Sequence, residues 1–459
     1  MRFSARDVER ACAGRLLSGD PAIVFSGVAT DSRQALPGDL FFALKGERRD
    51  GHEFVGDALR AGAAGAVVSR PVTVPAAHGG AYAIIQVEDA LKALGMLAAE
   101  HRSRFGGLVV GVTGSVGKTS TKEMIASVLS TRFSVLKPEG NMNTEIGVPL
   151  TAFRLSGEYD AAVFELAMRL RGEIAWLAGI VRPRIGVITN ISETHLERLG
   201  TRENIALAKA ELLEALPPDG CAVLNGDNEW IRKVSARANC DRVFYGMGTG
   251  SDVSATDVSV SIEGTRFTLR SPAGAAECFI PVPGEHHVYN ALAAACVGLR
   301  ADLSLDEVRE GLAAFKPAGM RTEIRSARGV TVINDAYNAS PVSTRAALAV
   351  LATVAGGRRV AVLGNMLELG DYTVEGHRET GRAVRSMGID ALVAVGSLAG
   401  DTAMGALEAG MPPEDVRWCS SNRDAVSILK SMLKPGDTVL VKGSRGARME
   451  EVVNGLLEG

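Results

Sequence analysis

The chain has 459 residues, of which 46% are hydrophobic and 22% charged, and its formal net charge is −3. This length predicts more than one domain, with three of roughly 150 residues each as the natural division. The near-neutral charge gives no support to a nucleic-acid partner or an anionic membrane surface, and no apolar run reaches the roughly 20 residues of a membrane span.

Two further features of the sequence bear on the compartment. The N-terminus becomes polar within its first few residues, so we expect no signal peptide. The six cysteines are scattered and form no Cys-x-x-Cys pair, which argues against a zinc site or a disulfide framework. Reduced thiols in a cytoplasmic protein are therefore expected.

The first region, residues 1–105, mixes short apolar runs with turns and ends in a helical pattern from Asp89 to about Phe105. A second region, residues 106–315, alternates strand and helix patterns, which predicts a parallel α/β sheet covered on both faces. Its strand patterns are at 108–113, 161–166, 185–190, 222–225 and 242–245. Alternating residues after Gly250, at 258–262 and 266–269, predict added antiparallel strands.

A third region, residues 316–459, begins with a predicted linker at 316–319. Its strand patterns, at 330–334, 360–363, 392–395 and 438–441, are again separated by helical stretches. This arrangement predicts a Rossmann-like α/β domain. The predicted fold class is thus α/β with three domains: a small N-terminal one, a central one with the parallel sheet, and the C-terminal one.

A glycine-rich turn joins the strand at 108–113 to the helical stretch that begins at Lys118. Glycines let backbone N–H groups converge on phosphate oxygens at a helix N-terminus, while Lys118 would hold the β and γ phosphates and Thr119 would reach Mg²⁺. The pattern predicts an ATP or GTP site. Its residues are Gly114, Ser115, Val116, Gly117, Lys118, Thr119 and Ser120.

One side chain further along, Glu165, suits a metal site beside these phosphates. Glu165 ends a predicted parallel strand, where α/β sheets bind ligands, and a carboxylate there is a natural Mg²⁺ ligand. His195 follows the next strand, and Lys209 stands fourteen residues later on a helical stretch. Taken singly, Glu165 could equally be a structural or surface residue, and a lone histidine or lysine at these positions would usually be an ordinary loop or helix-surface residue.

Together these features resemble the Mur ligase superfamily, which includes the folylpolyglutamate synthetases. The resemblance rests on glycines at 111, 114 and 117, with Val112 where the strict phosphate-loop motif has glycine, and on the spacing of His195 and Lys209. It implies ATP as the nucleotide and two Mg²⁺ ions. It also implies that CO₂ carbamylates Lys209, which then holds metal together with Glu165 and His195.

The resemblance extends to residues expected to bind substrates. It implies that Asn290 contacts adenine, that Arg321 clamps the γ phosphate, and that Asp335, Tyr337 and Asn338 line the nucleotide cleft. It assigns the UDP-linked sugar to the N-terminal domain and the peptide to later loops. The residues implied are Asp31, Ser32, Arg33, Lys45, Gly46, Asp50, His52, Asn141, Asn143, Thr144, Lys442 and Ser444.

The runs at 335–341 and 364–371, with His377 downstream, are similar to the branch of the family that adds a dipeptide. The Asp-Asn-Pro-Arg signature of the branch that adds diaminopimelate is absent from the third domain. Ala167 and Ser340 depart from the pattern by small-for-small changes. The resemblance therefore implies a monomeric, ATP-dependent ligase of peptidoglycan synthesis that joins D-alanyl-D-alanine to UDP-N-acetylmuramoyl-tripeptide through an acyl phosphate.

Two alternatives stay open from the sequence. One is a sibling ligase that adds a single amino acid. The other is a phosphate-loop switch or regulatory ATPase, which would need neither His195 nor Lys209.

Overall fold

The computed structural model describes residues 2–46, 49–73, 81–354 and 356–458. Its strands are β1 (Phe3–Ser4), β2 (Arg15–Ser18), β3 (Val24–Phe25), β4 (Gly27–Ala29), β5 (Asp39–Phe42), β6 (Gly65–Val68), β7 (Ala83–Gln86), β8 (Leu108–Thr113), β9 (Val135–Leu136), β10 (Ala161–Glu165), β11 (Ile185–Ile188), β12 (Cys221–Asn225), β13 (Asp241–Gly246), β14 (Val253–Ser261), β15 (Gly264–Ser271), β16 (Gly274–Ile280), β17 (Glu323–Ala327), β18 (Val330–Asp335), β19 (Arg359–Gly364), β20 (Ala391–Val395), β21 (Val416–Cys419) and β22 (Thr438–Lys442). Its α-helices are α1 (Ala5–Ala11), α2 (Val55–Arg60), α3 (Ala90–Arg102), α4 (Lys118–Leu129), α5 (Gly147–Ala152), α6 (Glu173–Val181), α7 (Leu196–Leu199), α8 (Arg202–Glu214), α9 (Glu229–Val234), α10 (Glu285–Arg300), α11 (Leu305–Ala313), α12 (Pro341–Val354), α13 (Thr373–Ser386), α14 (Ala399–Glu408), α15 (Asn422–Met432) and α16 (Glu450–Leu457). Within these ranges, no helix combines the length and the apolar character that crossing a membrane requires.

The chain forms two compact units. The first consists of Met1–Gly111, Phe133–Met168 and Gly172–Arg184, and the second of Val112–Arg132, Arg169–Arg171 and Ile185–Gly459.

The first unit contains a sheet with the strand order β2-β7-β6-β5-β4, in which β4 to β7 are parallel and β2 is antiparallel to β7. Strands β5 and β6 are buried along their whole length, because both faces of the sheet are covered. Phe42 packs on one face with Leu94 of α3, and Phe41 packs on the other with Ala58 of α2. The same unit contains the parallel pair β9 and β10, and the fully buried β10 ends at Glu165.

The second unit contains two sheets. In the first, β11 to β14 pair in parallel, and β15 and β16 then add antiparallel strands. This confirms the predicted parallel sheet with antiparallel additions. The alternating run at 258–262 belongs to the longer strand β14, whose register shifts between Thr256 and Ser259, where Asp257 has φ 55°. Such a bulge interrupts the alternation on which the sequence prediction relied.

The second sheet has the order β17-β18-β22-β19-β20-β21, in which only β17 runs antiparallel to its neighbour. Apolar clusters cover both faces, with Val441 in one and Leu440 in the other. This is the Rossmann-like arrangement expected from the sequence. The central strands β18, β19 and β22 end at Asp335, Gly364 and Lys442, so the loops that follow them start at one edge of the sheet.

Candidate active site

The phosphate loop joins β8 to α4, as predicted. Gly117 caps α4 with φ 83°, and Gly114 has φ 151°. A Cβ on Gly114 would lie 2.0 Å from Thr189 Oγ1, so a side chain at this position would clash. The turn therefore requires glycine, and it directs the start of a twelve-residue helix toward the loop, where anions are favoured.

The loop is fixed to the segment that follows β11. The backbone N–H of Ser115 donates to the carbonyl oxygen of Asn190 (2.7 Å), and the Ser115 hydroxyl accepts from the N–H of Ser192 (3.0 Å). The Thr189 hydroxyl donates to the carbonyl oxygen of Val116 (2.5 Å). These bonds hold the loop in shape. Thr189, Asn190 and Ser192 were not predicted as site residues, because nothing in a strand pattern marks its flanking polar residues as anchors.

The two lysines of the predicted site have different environments. Lys118 Nζ donates to the carbonyl oxygens of Gly114 (2.8 Å) and Ser115 (3.4 Å), so its amine lies over the loop. Lys209 on α8 is only 1% exposed. Burial lowers the pKa of Lys209 well below its ordinary value, and the positive charge of Lys118 lowers it further. Both effects raise the share of the neutral amine, which is the nucleophilic form, relative to an exposed lysine.

His195 lies beside a carboxylate that the sequence analysis did not assign to the site. Its Nδ1 is 2.8 Å from Oε2 of Glu368, which belongs to the segment between β19 and α13. The His195 contact lowers the pKa of Glu368 from its ordinary value. Both residues have left-handed backbones, with φ 61° for His195 and 63° for Glu368. A left-handed conformation is uncommon for residues other than glycine and is often found at functional sites.

Glu165 belongs to the first unit, where it is 4% exposed at the end of β10. Its Oε1 accepts a hydrogen bond from Asn143 Nδ2 (2.8 Å), which also donates to Asn141 Oδ1 (2.9 Å). Thr144, in the same run, accepts the N–H of Gly147 at its hydroxyl (3.5 Å). The predicted peptide loop therefore contacts the predicted metal ligand.

Asn290 lies against the phosphate loop. A Cβ on Gly117 would be 2.8 Å from its Oδ1, which accepts the Thr121 hydroxyl (3.1 Å). Asn290 Nδ2 lies 3.3 Å from Nδ1 of His287, whose Nε2 lies 3.3 Å from the hydroxyl of Thr322. The amide thus already contacts protein groups through both polar atoms, and adenine binding by Asn290 stays a prediction.

A second group of polar residues gathers at the carboxyl edge of the C-terminal sheet. Lys442 Nζ is 2.5 Å from Asp335 Oδ2 and 2.9 Å from the carbonyl oxygen of Asn338. Asp335 Oδ1 accepts the N–H of Thr322 (3.0 Å), and Ser444 Oγ accepts the N–H of Leu367 (2.9 Å). The structure thus brings Asp335, Asn338 and Lys442 together, although the sequence analysis assigned them to different ligands.

The predicted sugar-binding residues form local turns in the first unit. Asp31 caps the 3-10 turn Ser32–Gln34 and pairs with Arg33. Asp50 lies 2.5 Å from Nδ1 of His52, and Nε2 of His52 accepts the N–H of Ser69 (2.9 Å). His52 therefore supports the turn with both ring nitrogens. Lys45 and Gly46 lie at the exposed end of the same turn.

Comparison with known proteins identifies the family. The chain matches the models of the Mur ligase family catalytic domain (residues 24–102), the Mur ligase middle domain (112–298) and the Mur ligase glutamate ligase domain (320–445). It is 40% identical to the UDP-N-acetylmuramoyl-tripeptide–D-alanyl-D-alanine ligase of Bacillus subtilis (strain 168), over 95% of this chain and 94% of that protein. The chain belongs to the Mur ligase family.

Solved structures agree with this assignment. A crystal structure of MurF from Acinetobacter baumannii has a TM-score of 0.92 and 32% identity, and the match covers 100% of this chain and 99% of that one. The structure of MurF ligase from Thermotoga maritima in complex with ADP has a TM-score of 0.84 and 30% identity, covering 94% and 97%. The three-domain α/β fold predicted for this Mur ligase is confirmed, and so is its resemblance to the family.

Proposed function

We propose that this Mur ligase joins D-alanyl-D-alanine to the terminal carboxylate of UDP-N-acetylmuramoyl-tripeptide, with ATP as the energy source. The observation that carries the proposal is the buried Lys209, whose pKa is lowered by burial and by the charge of Lys118 of the phosphate loop. A simple nucleotide switch does not need such a lysine. The substrate assignment is supported by the name of the Bacillus subtilis relative, which this chain matches over almost its whole length.

The chemistry has two steps on the substrates. An oxygen of the tripeptide carboxylate attacks the γ phosphorus of ATP, the bond to the bridging β–γ oxygen breaks, and ADP leaves. The amine of D-alanyl-D-alanine then attacks the carbonyl carbon of the acyl phosphate and loses a proton, and the carbon–oxygen bond breaks to release phosphate. In the first step, Lys118 holds the phosphates and Arg321 fixes the γ phosphate, so catalysis comes mainly from positioning and charge neutralisation.

Two Mg²⁺ ions would be held by Thr119, Glu165, His195 and carbamylated Lys209. Among the residues that the structure describes, no three His, Cys, Asp or Glu side chains gather as a metal centre. The donor set nevertheless fits Mg²⁺ once Lys209 is carbamylated, because a carbamate presents oxygen atoms, which Mg²⁺ prefers. Burial lowers the pKa of Lys209, which favours the reaction of its amine with CO₂. Bound Mg²⁺ supplies positive charge that offsets the charge of the transferring phosphate.

We assign three domains to this chain. Residues 1–105 would bind the UDP-linked sugar, residues 106–315 would bind ATP, and residues 316–459 would form the C-terminal ligase domain. The family models support this division, because their matched ranges, 24–102, 112–298 and 320–445, each fall inside one proposed domain.

A cytoplasmic, monomeric enzyme is the form we propose. The cytoplasmic location is supported by the cysteines, since all six are free thiols in the structure. Burial raises the pKa of Cys12 to about 12, which keeps this thiol unreactive.

The test is phosphate release from ATP with Mg²⁺ and UDP-N-acetylmuramoyl-tripeptide, comparing D-alanyl-D-alanine with single amino acids as acceptors. Release only with the dipeptide, with a UDP-pentapeptide detected by mass spectrometry, is the expected result. Release with a single amino acid would assign a sibling ligase instead. Hydrolysis that is indifferent to every acceptor would overturn the ligase proposal.

A further inference from the structure

The carboxylate of Glu368 occupies one side of the His195 ring. His195 Nδ1 is closed off from solvent and has no aligned hydrogen bond among the described residues, yet Glu368 Oε2 lies 2.8 Å away. Because imidazole has two nitrogens, a carboxylate at Nδ1 leaves Nε2 as the nitrogen that can bind a cation.

The segment that presents Glu368 is fixed at several points. The N–H of Met366 donates to Nε2 of the buried His377 (3.0 Å), and the N–H of Leu367 donates to Ser444 Oγ (2.9 Å). These two bonds tie the residues just before Glu368 to α13 and to the segment after β22. The Glu368 carboxylate is therefore presented from a constrained backbone and is not the end of a free loop.

The same segment packs closely against the turn that carries His195. Gly370 has φ 58°, and a Cβ there would lie 3.0 Å from Cα of Glu197. On the other side, the carbonyl oxygen of His195 accepts the N–H groups of Arg198 and Leu199 (both 3.1 Å). The segments that carry His195 and Glu368 are thus packed closely, and both residues have left-handed backbones, a conformation often found at functional sites.

We propose that Glu368 is a positioning residue: its carboxylate holds the His195 ring so that Nε2 faces a divalent cation. Carboxylates that accept from the second nitrogen of a metal-binding histidine fix its tautomer and orientation, and their loss weakens metal affinity by roughly 10- to 100-fold. The inference rests on the proposed role of His195 as a metal ligand. It gives a function to the run at 364–371, which the sequence analysis linked to a branch of the family without assigning a role.

The experiment compares Glu368→Ala and Glu368→Gln with wild type. Glu197→Gln is the control, because Glu197 is an exposed glutamate in α7, close to His195 in the chain. Manganese binding to the full-length enzyme, with a non-hydrolysable ATP analogue present, is measured by electron paramagnetic resonance. We expect Glu368→Ala to weaken the Mn²⁺ site that includes His195 by about 10- to 100-fold, with a smaller effect for Glu368→Gln. Glu197→Gln should leave both sites unchanged. Equal Mn²⁺ affinity in the wild type and all three variants would overturn the proposal.

A double-mutant cycle with His195→Ala separates positioning from a direct role. If Glu368 acts through His195, the double variant should bind Mn²⁺ as His195→Ala does, while additive losses would make Glu368 an independent ligand and contradict the proposal. The cycle also distinguishes the hypothesis that His195 binds a metal ion from the hypothesis that Glu368 positions His195. If His195→Ala binds two Mn²⁺ ions as tightly as wild type, the proposed metal site itself fails; if it loses one ion and the Glu368 variants do not, only the inference about Glu368 fails.

Discussion

The guanidinium of Arg321 donates a hydrogen bond to the Thr119 hydroxyl (3.0 Å), and its Cζ lies 4.0 Å from the centroid of the Tyr337 ring. The first contact reaches the start of α4, and the second lies in the segment after β18. Arg321 thus connects the phosphate loop with the C-terminal sheet. A planar guanidinium suits both contacts, because it can stack on a ring and donate along its edge at the same time.

Replacing Arg321 should therefore impair turnover more than folding. We expect Arg321→Ala to lower kcat about 10- to 100-fold, in line with the roughly 1.5–3 kcal/mol of a hydrogen bond to a charged group. Arg321→Lys should lie between this variant and wild type, since lysine keeps the charge but loses the planar fork. Steady-state phosphate release measures the effect. Arg325→Ala, which removes an exposed arginine paired with Glu323, is the control. Equal losses in both variants would contradict the assigned role.

The buried pair of Lys442 and Asp335 should make the fold sensitive to the loss of either charge alone. Lys442 is 4% exposed, and replacing it with methionine leaves the Asp335 carboxylate without its cation. Breaking a buried pair from one side costs about 3–5 kcal/mol, whereas replacing both charges can be nearly neutral. We therefore expect Lys442→Met to destabilise the protein, and Lys442→Met with Asp335→Asn to be closer to wild type.

Thermal unfolding and urea denaturation of the full chain would measure these effects. Lys434→Met, at an exposed position, serves as the control. If Lys442→Met raised only the KM for the UDP-tripeptide and left unfolding unchanged, the substrate-binding role predicted from sequence would be favoured instead.

The sequence predicted the local parts of this structure well. The segment from Leu108 through the phosphate loop to the start of α4 at Lys118 matches the prediction, because strand, glycine turn and helix each leave a short-range pattern. The strand ends at Glu165 and Asp335 were likewise placed within one residue of the observed bounds.

Contacts between distant parts of the chain were not predicted. The pairs His195–Glu368 and His287–Thr322 join segments that no periodicity connects, so only the folded structure brings them together. Lys442 is the instructive case. A lysine in a glycine-serine loop after a strand suggests an exposed cation for substrate, yet the neighbouring strand supplies Asp335 as its partner.

The proposed carbamylation of Lys209 predicts a dependence on CO₂. We expect enzyme prepared and assayed in CO₂-depleted buffer to lose most of its ligase activity and to regain it on addition of bicarbonate. Lys209→Met should lower kcat by at least about 100-fold, because an oxygen ligand of the metal is lost. Bicarbonate should not rescue this variant, and its affinity for a fluorescent ATP analogue should stay within a few-fold of wild type. Full activity of Lys209→Met would contradict the two-metal proposal.

The capping box of α11 predicts a pH dependence of stability. Glu307 pairs with Arg132 (2.6 Å) and accepts from the N–H and hydroxyl of Ser304. The Arg132 contact, followed by these two bonds, lowers the pKa of Glu307 to about 2 from an ordinary value of 4.5. Since the folded pKa is the lower one, the stabilisation is complete above about pH 4.5 and is lost as pH falls toward about 2.

Glu307→Gln tests this prediction, because glutamine keeps the capping-box geometry and removes only the charge. We expect the variant to have a lower Tm than wild type, by a roughly constant difference between about pH 5 and about pH 7. Below about pH 4.5 this difference in Tm should shrink steadily. Added salt should also reduce the difference, since the pair with Arg132 is exposed to solvent. Glu310→Gln, on the exposed surface of the same helix, controls for the loss of one negative charge. A Tm difference that stayed constant down to pH 3 (~1 unit above the folded pKa) would show that the Glu307 charge is not the source of the stability. At that pH Glu307 of the unfolded chain is protonated, so the contribution of the charge should have fallen to less than about half of its plateau.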